Sequence, residues 1–542
     1  MTHRVGRSAS VGRTSLDASF GTLCAKLIGF ARNIALAAAI GTGLVADSYN
    51  VANQVTSQIF LLVGGGSIAY ILVPHLIHHV RTSVDRGDEY GSFLLFAAAV
   101  FGVFLTALLL IFSPLLIKLM GGSSWNEAQS SLGLRFAMWC MPQVFFYVLF
   151  EVASQIMHAR GRFSAVAWMP VISSLVIIVA CIPIVVAGNV RADSPTSMSA
   201  YEVTILGAST LLGAIVQTML LVIFLRQAGF RLRIKYKIRG LGLRATAMGG
   251  LLTVGATVCF QLANLATAAF STQAGSAAEL SGHSGRGYTA IFYAQVILYS
   301  AQGVAAVSLA NVLLQRLSKH YADRDDRAAS RDLNQAILVV GALLIPTMFV
   351  FICLGPLGAE LMFTRGETSY AAAQFIGIIL AVLSIGLVPY ALHTILIRPF
   401  YAVRNARTPL RSAAIVGILW IAGSSLTNLL LPPQWALLGI AGSFALAYLI
   451  DMPLKIISLR SHLGFKISGD VVRGYRSALL GGICAAAVVG IGVIYVQPYV
   501  PHFWLPRSIL FVGAAAVFVA IYYPLTVRSP ASIPDLLRWL RT

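Results

Sequence analysis

Long apolar stretches separated by short polar or basic loops recur along the whole chain. About 20 apolar residues in helical conformation cross the hydrocarbon core of a bilayer. By that criterion about fourteen stretches qualify: residues 17–41, 51–75, 91–119, 130–156, 164–188, 201–225, 245–270, 288–314, 334–362, 371–397, 411–431, 435–457, 475–497 and 508–527. The pattern predicts an all-α polytopic membrane protein. The first two stretches meet at the short loop GTGLVAD. The first carries two cations, Lys26 and Arg32, in an otherwise lipid-soluble run. The second opens with the amides Asn50, Asn53, Gln54 and Gln58 and is then interrupted by Gly64-Gly65-Gly66, with Pro74 at its end. A cation at bilayer depth costs at least about 2.5–3.5 kcal/mol on insertion scales, so it normally faces a protein interior or a wet cavity. A transporter with a polar interior is the expectation that follows.

Composition supports the membrane reading: 58% of residues are hydrophobic, 11% are charged, and mean hydropathy is +0.81. A soluble domain carries about 25% charged residues. Residues 1–15 are polar and basic, and the first apolar run lacks a small-residue cleavage site, so no removable signal peptide is expected. The net charge of +20 would suggest nucleic acid in a soluble protein, but its distribution argues otherwise. With fourteen spans both termini lie on one side, and the loops sort alternately. One side holds Arg4, Arg7, Arg13, Arg81, Arg86, Arg160, Arg162 and most of the remaining Lys and Arg; the other holds little beyond Arg191, Arg286, Arg365 and Arg507. That asymmetry is the positive-inside pattern and predicts two cytoplasmic termini. Between the sixth and seventh spans, residues 230–239 alternate apolar and basic, as an extended or interfacial segment on anionic lipid would. The end of the chain, SIPDLLRWLRT, reads as a short interfacial helix anchored by Trp539. The six cysteines sit singly in apolar runs, which predicts free, buried thiols rather than disulfides or a zinc site.

The chain also repeats. Pro114-Leu115, followed by Lys118-Leu119-Met120, recurs as Pro356-Leu357, followed by Glu360-Leu361-Met362, 242 residues on. Gln54-Val55 and Tyr147 recur at nearly the same offset as Gln295-Val296 and Tyr390. Two six-helix units of the same orientation are expected, with an extra pair of helices after them. The expected divisions are a cytoplasmic N-terminus at 1–16, an N-terminal lobe at 17–229, a basic linker at 230–244, a second lobe at 245–462, the extra pair at 463–528 and a cytoplasmic tail at 529–542.

Several side chains at bilayer depth are candidates for function. Lys26 and Arg32, nearly two helical turns apart, are expected to line one cavity and offer positive charge to an anionic headgroup, with Asn33 beside them. The alternative is that Lys26 reaches for the interface and Arg32 pairs with Asp47 or Glu151. Asn50, Asn53 and Gln54 share a face at i, i+3, i+4 spacing, which Gln58 continues; Gln295 and Gln302 share one in the eighth span, and the seventh adds Gln261 and Asn264. These amides form either a polar cavity or interhelical hydrogen-bonding glue. Asp47, Glu151 and Asp451 are the candidate ion-coupling or salt-bridging carboxylates, able to take a proton, a sodium ion or a basic partner. His393 stands alone in the tenth span and reads as a packing residue. Gly64, Gly65, Gly66 and Pro74 form a candidate hinge. No P-loop, HExxH or GxSxG occurs, so an enzyme is not expected.

Several motifs resemble the MviN/MurJ family: GFARN at 29–33, Ala46-Asp47, NVAN at 50–53, Val73-Pro74, RFSAVAWMP at 162–170 and FYAVRNARTPLRSAAIV at 400–416 with its Arg404-Asn405-Ala406-Arg407-Thr408-Pro409 core. The resemblance runs from about residue 17 to 530. It implies the multidrug/oligosaccharidyl-lipid/polysaccharide exporter fold, two lobes in a V plus two helices that form a lipid-facing groove. It further implies flipping of undecaprenyl-pyrophosphate-linked peptidoglycan precursor, lipid II, by alternating access, with a cationic cavity for the pyrophosphate. No cofactor is implied, only coupling to membrane potential, Na+ or H+; the implied partners are the polyprenyl-linked lipid, anionic lipids and cell-wall synthesis or division proteins. The chain departs from the family where Asn33 follows Arg32, where Phe60 and Leu61 replace basic residues, where Val63-Gly64-Gly65-Gly66 replaces Ala-Glu-Gly-Ala, and at Val296. An ion-coupled drug exporter, a flippase for another polyprenyl-linked glycan and a non-transporting cell-wall scaffold are the alternative readings.

Overall fold

A computed structural model describes residues 5–63, 87–122, 124–233 and 243–527. The hinge candidates Gly64, Gly65, Gly66 and Pro74, the rest of the basic segment at 234–242 and the tail with Trp539 lie outside the described residues. Among the described residues there are α-helices and a few short turns, and no strand. The first unit contains α1 (Val5–Ile40), α2 (Leu44–Val63), α3 (Asp88–Gly121), α4 (Glu127–Cys140), α5 (Gln143–Ala159), α6 (Phe163–Ala187) and α7 (Ala200–Gln227). The division into two compact units falls after Gln273, within α8 (Leu243–Leu280). The second unit continues with α9 (Tyr288–Gln302), α10 (Ser308–Ala322), α11 (Asp326–Phe363), α12 (Tyr370–Ser384), α13 (Leu387–Leu396), α14 (Arg398–Ala402), α15 (Arg407–Leu430), α16 (Pro433–Leu463), α17 (Gly469–Val496) and α18 (Trp504–Thr526).

Among the described residues twelve helical stretches are long and apolar enough to cross a membrane, and the pair α12–α13/α14, bent by 46°, makes a thirteenth. The remaining expected span, 51–75, is described only over its first part, in α2. The starts of the helices are written locally. Ser199 and Glu202 form a reciprocal cap on α7, while Asn126, Asp325, Ser369 and Ser468 each accept a bond from the first turn of α4, α11, α12 and α17. The fourth span of each half is interrupted at equivalent places, at Met141-Pro142 and at Ile385-Gly386. Where the second half has its second span, a π-turn over Gly303–Val307 separates α9 from α10, a device that relaxes the helical ladder locally.

In the first unit α1 packs along α6, α6 against α7, α2 against α4, and α3 and α7 against α5. The GTGLVAD turn is held where the backbone N–H of Val45 donates to the Ala192 carbonyl, and a Cβ on Gly43 would fall 2.7 Å from that same oxygen. At the other end, Asp88 at the start of α3 pairs with Arg160 after α5, and the Arg160 guanidinium lies over the Phe230 ring at 5.1 Å. The backbone N–H groups of Arg231 and Arg233 donate to Asp88 Oδ2 (3.3 Å) and Ser92 Oγ (2.9 Å). At the opening of the basic segment, alternate backbone amides are thus fixed to α3.

In the second unit α11 packs against α12 and α17, α15 against α16, and α17 against α18. On the last described helix a buried cation stands among exposed apolar side chains. On α18 Arg507 is 2% exposed, whereas Leu505, Ile509 and Val512 are each more than 60% exposed. Arg507, expected as a loop cation, instead reaches Glu360 of α11 at 3.5 Å, and Gln497 donates to the other Glu360 oxygen at 3.3 Å. This fixes the α17–α18 pair to α11. The buried positions of α17 include Gly474, Ala478, Gly481, Gly482 and Ala485, small residues that let helices approach where lipid supplies no hydrophobic driving force; Gly481 faces Tyr522 and Thr526 of α18 and Gly482 faces α11. The Phe349 ring of α11 occupies the space a side chain at 482 would need. Gly482→Leu is therefore expected to destabilise the second unit by about 1–3 kcal/mol through overpacking, read as a lowered Tm of the purified protein in nanodiscs.

Candidate functional site

Within the first unit, five helices enclose a cavity of about 350 Å³. Its walls are helical faces. α2 contributes Asn53, Ser57, Phe60 and Leu61, and α5 contributes Gln143, Tyr147, Phe150 and Glu151, both at i, i+4, i+7, i+8. α6 contributes Pro170, Ser173 and Ile177, α7 contributes Thr210, Ala214 and Gln217, and α1 contributes Arg32. Repeats of three and four return a helix to the same side, so the polar residues of otherwise apolar spans collect on one surface.

Arg32 Nη2 donates to Asn33 Oδ1 at 3.4 Å, while its Nε is buried without a hydrogen-bond partner. Neither Asp47 nor Glu151 is among its ion pairs within the described residues. Glu151 instead accepts from Gln155 Nε2 at 2.7 Å. Gln143 accepts from Tyr147 through its oxygen (2.7 Å), which leaves its Nε2 buried and unpartnered, as is Asn53 Oδ1. A guanidinium, an amide donor and an amide acceptor thus line one cavity with bonding capacity unspent. Buried polar groups normally find partners, so this wall is built to bind something polar or wet. The Phe60 ring sits 5.6 Å from that of Tyr147, giving the same cavity an aromatic side.

The other expected residues are distributed differently. Lys26 is exposed and absent from the lining. At 100° per residue a six-residue step turns about 120° round the axis, so Lys26 and Arg32 do not share a face. Asn33, Asp47 and Asn50 are buried in the protein around α1 and α2, at 3%, 1% and 1% exposure. Gln54 and Gln58 are half-buried and off the lining. In the second unit Gln302 donates to Thr394 Oγ1 at 3.0 Å, the glue role, and Gln295 is buried with Nε2 unpartnered. Of the amide set only Asn53 lines the cavity. Gln143, Tyr147, Ser173, Thr210 and Gln217 were not anticipated; their signal was the three-and-four spacing of polar residues within apolar α5, α6 and α7. A larger cavity of about 870 Å³ lies at the Asp17, Arg162 and Trp168 edge of the unit, where Ser164 bonds Asp17.

Asp451 takes the salt-bridge reading. Its Oδ2 lies 2.8 Å from Lys455 Nζ and 2.9 Å from His393 Nδ1, and its Oδ1 accepts from Ser412 Oγ at 2.5 Å. Three helices, α13, α15 and α16, meet there. His393 is therefore no solitary packing residue. Lys455, counted from sequence with the following loop, is buried at 1% side-chain exposure. The i, i+4 spacing of Asp451 and Lys455 was the available signal.

The family profile described as "Lipid II flippase MurJ" matches residues 36–514. The chain is 26% identical over 503 residues to the probable lipid II flippase MurJ of Rhizobium tropici, covering 90% of this chain and 86% of that one. It is 24% identical over 541 residues to the lipid II flippase MurJ of Burkholderia cenocepacia, covering 94% and 96%. Among solved structures it resembles lipid II flippase MurJ in an inward closed conformation, with a TM-score of 0.72, 19% identity, and 94% and 99% coverage. It also resembles an inward-facing multidrug resistance MATE family transporter of the MOP superfamily, with a TM-score of 0.61, 14% identity, and 80% and 95% coverage.

Removing one partner of a buried ion pair leaves the other charge stranded, at a cost of about 3–5 kcal/mol. Lys455→Met alone is expected to lower stability by that order, and the double variant Asp451→Asn/Lys455→Met to recover most of the loss, as measured by thermal unfolding in nanodiscs.

Proposed function

The chain belongs to the lipid II flippase MurJ family, and we propose on that premise that it carries lipid II, the undecaprenyl-pyrophosphate-linked peptidoglycan precursor, from the inner to the outer leaflet by alternating access. It is a transporter and not an enzyme. The observation that carries the site assignment is the unspent bonding capacity around one cavity: Arg32 Nε, Gln143 Nε2 and Asn53 Oδ1. Pyrophosphate oxygens would take the guanidinium and amide donors, which are at their strongest when charge-assisted. The Phe60 and Tyr147 rings and Leu61 would bound the less polar part of the headgroup. One arginine is a sparse cationic set for two phosphates, and amide and hydroxyl groups make up the rest of the donors here. Lys26, exposed nearer the N-terminal end of α1, would serve the approach of the headgroup rather than its bound state. Glu151 in the same lining is the feature an exporter of small cations would use, and the experiments below separate that reading.

Arg32→Ala is expected to weaken binding of an undecaprenyl-pyrophosphate lipid by roughly 10–100-fold, the loss of one charge-assisted hydrogen bond of about 1.5–3 kcal/mol, and to abolish rescue of a lipid II flippase depletion strain at matched expression. Leu61→Arg, which returns a cation to the lining, is expected to tighten binding. Rescue by Arg32→Ala equal to that of the parent would remove Arg32 from the site. Failure of both to rescue, together with loss of drug resistance in Glu151→Gln, would favour the exporter.

The membrane is taken to be the bacterial cytoplasmic membrane, with anionic lipid against the basic loops and both termini in the cytoplasm. Fluorescent-protein fusions that fold only in the cytoplasm are expected to be bright at either end. A dark fusion at one end would overturn the even span count.

A further inference from the structure

We propose that His393, Asp451 and Lys455 form a proton-exchange site in the second unit, at which gain or loss of one proton changes how α13 is tied to α16. Three atoms make a closed triangle: Asp451 Oδ2 to Lys455 Nζ at 2.8 Å, Asp451 Oδ2 to His393 Nδ1 at 2.9 Å, and Lys455 Nζ to His393 Nδ1 at 2.5 Å. The two nitrogens cannot both donate along their shared edge. With Lys455 protonated, its ammonium donates to Oδ2 and to the bare Nδ1, and His393 gives nothing to the carboxylate. With the imidazole protonated on both nitrogens, Nδ1–H donates to Oδ2 and two cationic groups face each other at one edge, so that contact must open. The two states differ by one proton, taken from water by the imidazole and returned to water from it, and by which helix holds Asp451.

Access and mechanics fit that exchange. The Asp451 and Lys455 side chains are 2% and 1% exposed, whereas His393 is 16% exposed, so the imidazole is the least enclosed member of the triangle. His393 lies on α13, the separate segment after the 46° bend, so the edge that breaks is the one that ties a broken helix to an intact one. A buried ion pair is weak support for stability by itself, and an ionisable cluster at this depth is a functional-site hypothesis in its own right.

The charges that bear on His393 are those of Asp451 and Lys455. Around them stand Tyr448 of α16, edge-on to His393 at 5.3 Å, and Tyr390 of α13, which in turn meets Tyr299 of α9. Ser412 comes from α15 and Arg398 from α14, the latter coupled to Tyr401. The titratable groups of the other neighbours are engaged elsewhere: His320 of α10 with Asp332 of α11, Glu360 of α11 with Arg507, and Tyr370 of α12 with Gln497.

What the proton drives rests on the flippase reading; that it binds does not. Two measurements on the full chain in lipid keep these apart. Hydrogen–deuterium exchange of peptides from α13 and α14, corrected for the intrinsic pH dependence of exchange, is expected to differ several-fold between pH 5.5 and 8. That difference should vanish in His393→Gln and in Asp451→Asn/Lys455→Met. Equal protection at both pH values in the parent, or a difference that persists in His393→Gln, overturns the site. In vesicles with the membrane potential clamped at zero, a pH gradient is expected to change the rate of undecaprenyl-pyrophosphate lipid translocation several-fold in the parent. The ratio with and without the gradient should fall to about one in His393→Gln. Lipid movement with the same ratio in both proteins overturns the coupling. A pH response of α13 without any lipid movement upholds the proton site and counts against the flippase reading.

Discussion

Polar groups at bilayer depth must find their partners within the protein, because lipid offers none. That constraint orders the whole structure. It turns Leu505, Ile509 and Val512 of α18 outward and buries Arg507 against Glu360. It folds Lys455 back onto Asp451. It draws Asn53, Gln143, Tyr147 and Gln217 from three different spans to one wall. Most polar groups close on one another, and the cavity of the first unit is where several do not. Arg32 Nε, Asn53 Oδ1 and Gln143 Nε2 remain open around a volume large enough for part of a headgroup.

The two units solve the same problem differently. The fourth span of each is interrupted at equivalent positions, Met141-Pro142 and Ile385-Gly386. Tyr147 and Tyr390, aligned in the sequence repeat, both stand after the interruption. Tyr147 lines the open cavity, while Tyr390 packs into an aromatic cluster with Tyr299, Phe444 and Tyr448. The first copy of the repeat keeps a cavity there; the second has filled the corresponding region with rings and closed His393, Asp451 and Lys455 into a triangle.

The helical architecture was legible in sequence because spans are set by length and hydropathy, which are local. The caps at Ser199, Ser369 and Ser468 are local too. The repeat could be read from Pro114 and Pro356 because a proline near the end of a long span marks position along it. The site was legible only in part. Arg32 stands out because a charge in an apolar run is costly wherever it points. Asn53 was found with its amide neighbours, but sequence could not say that Gln54 and Gln58 face elsewhere. Lys26 shows how a six-residue step misleads: it is close to two turns in rise and far from them in angle. His393 looked solitary because its partner Asp451 lies 58 residues away, on a helix whose packing sequence spacing does not report.

The cavity of the first unit has an electrical consequence. Among the described residues its lining carries one side chain of each sign, Arg32 and Glu151. With both ionised the empty cavity has no net charge, and its reorientation across the bilayer does no work against the transmembrane field. A bound pyrophosphate adds only negative charge. An inside-negative potential contributes about 2.3 kcal/mol per elementary charge per 100 mV, and here it would push the loaded form outward while leaving the empty return unopposed. A second arginine at Leu61 would cancel part of that bias.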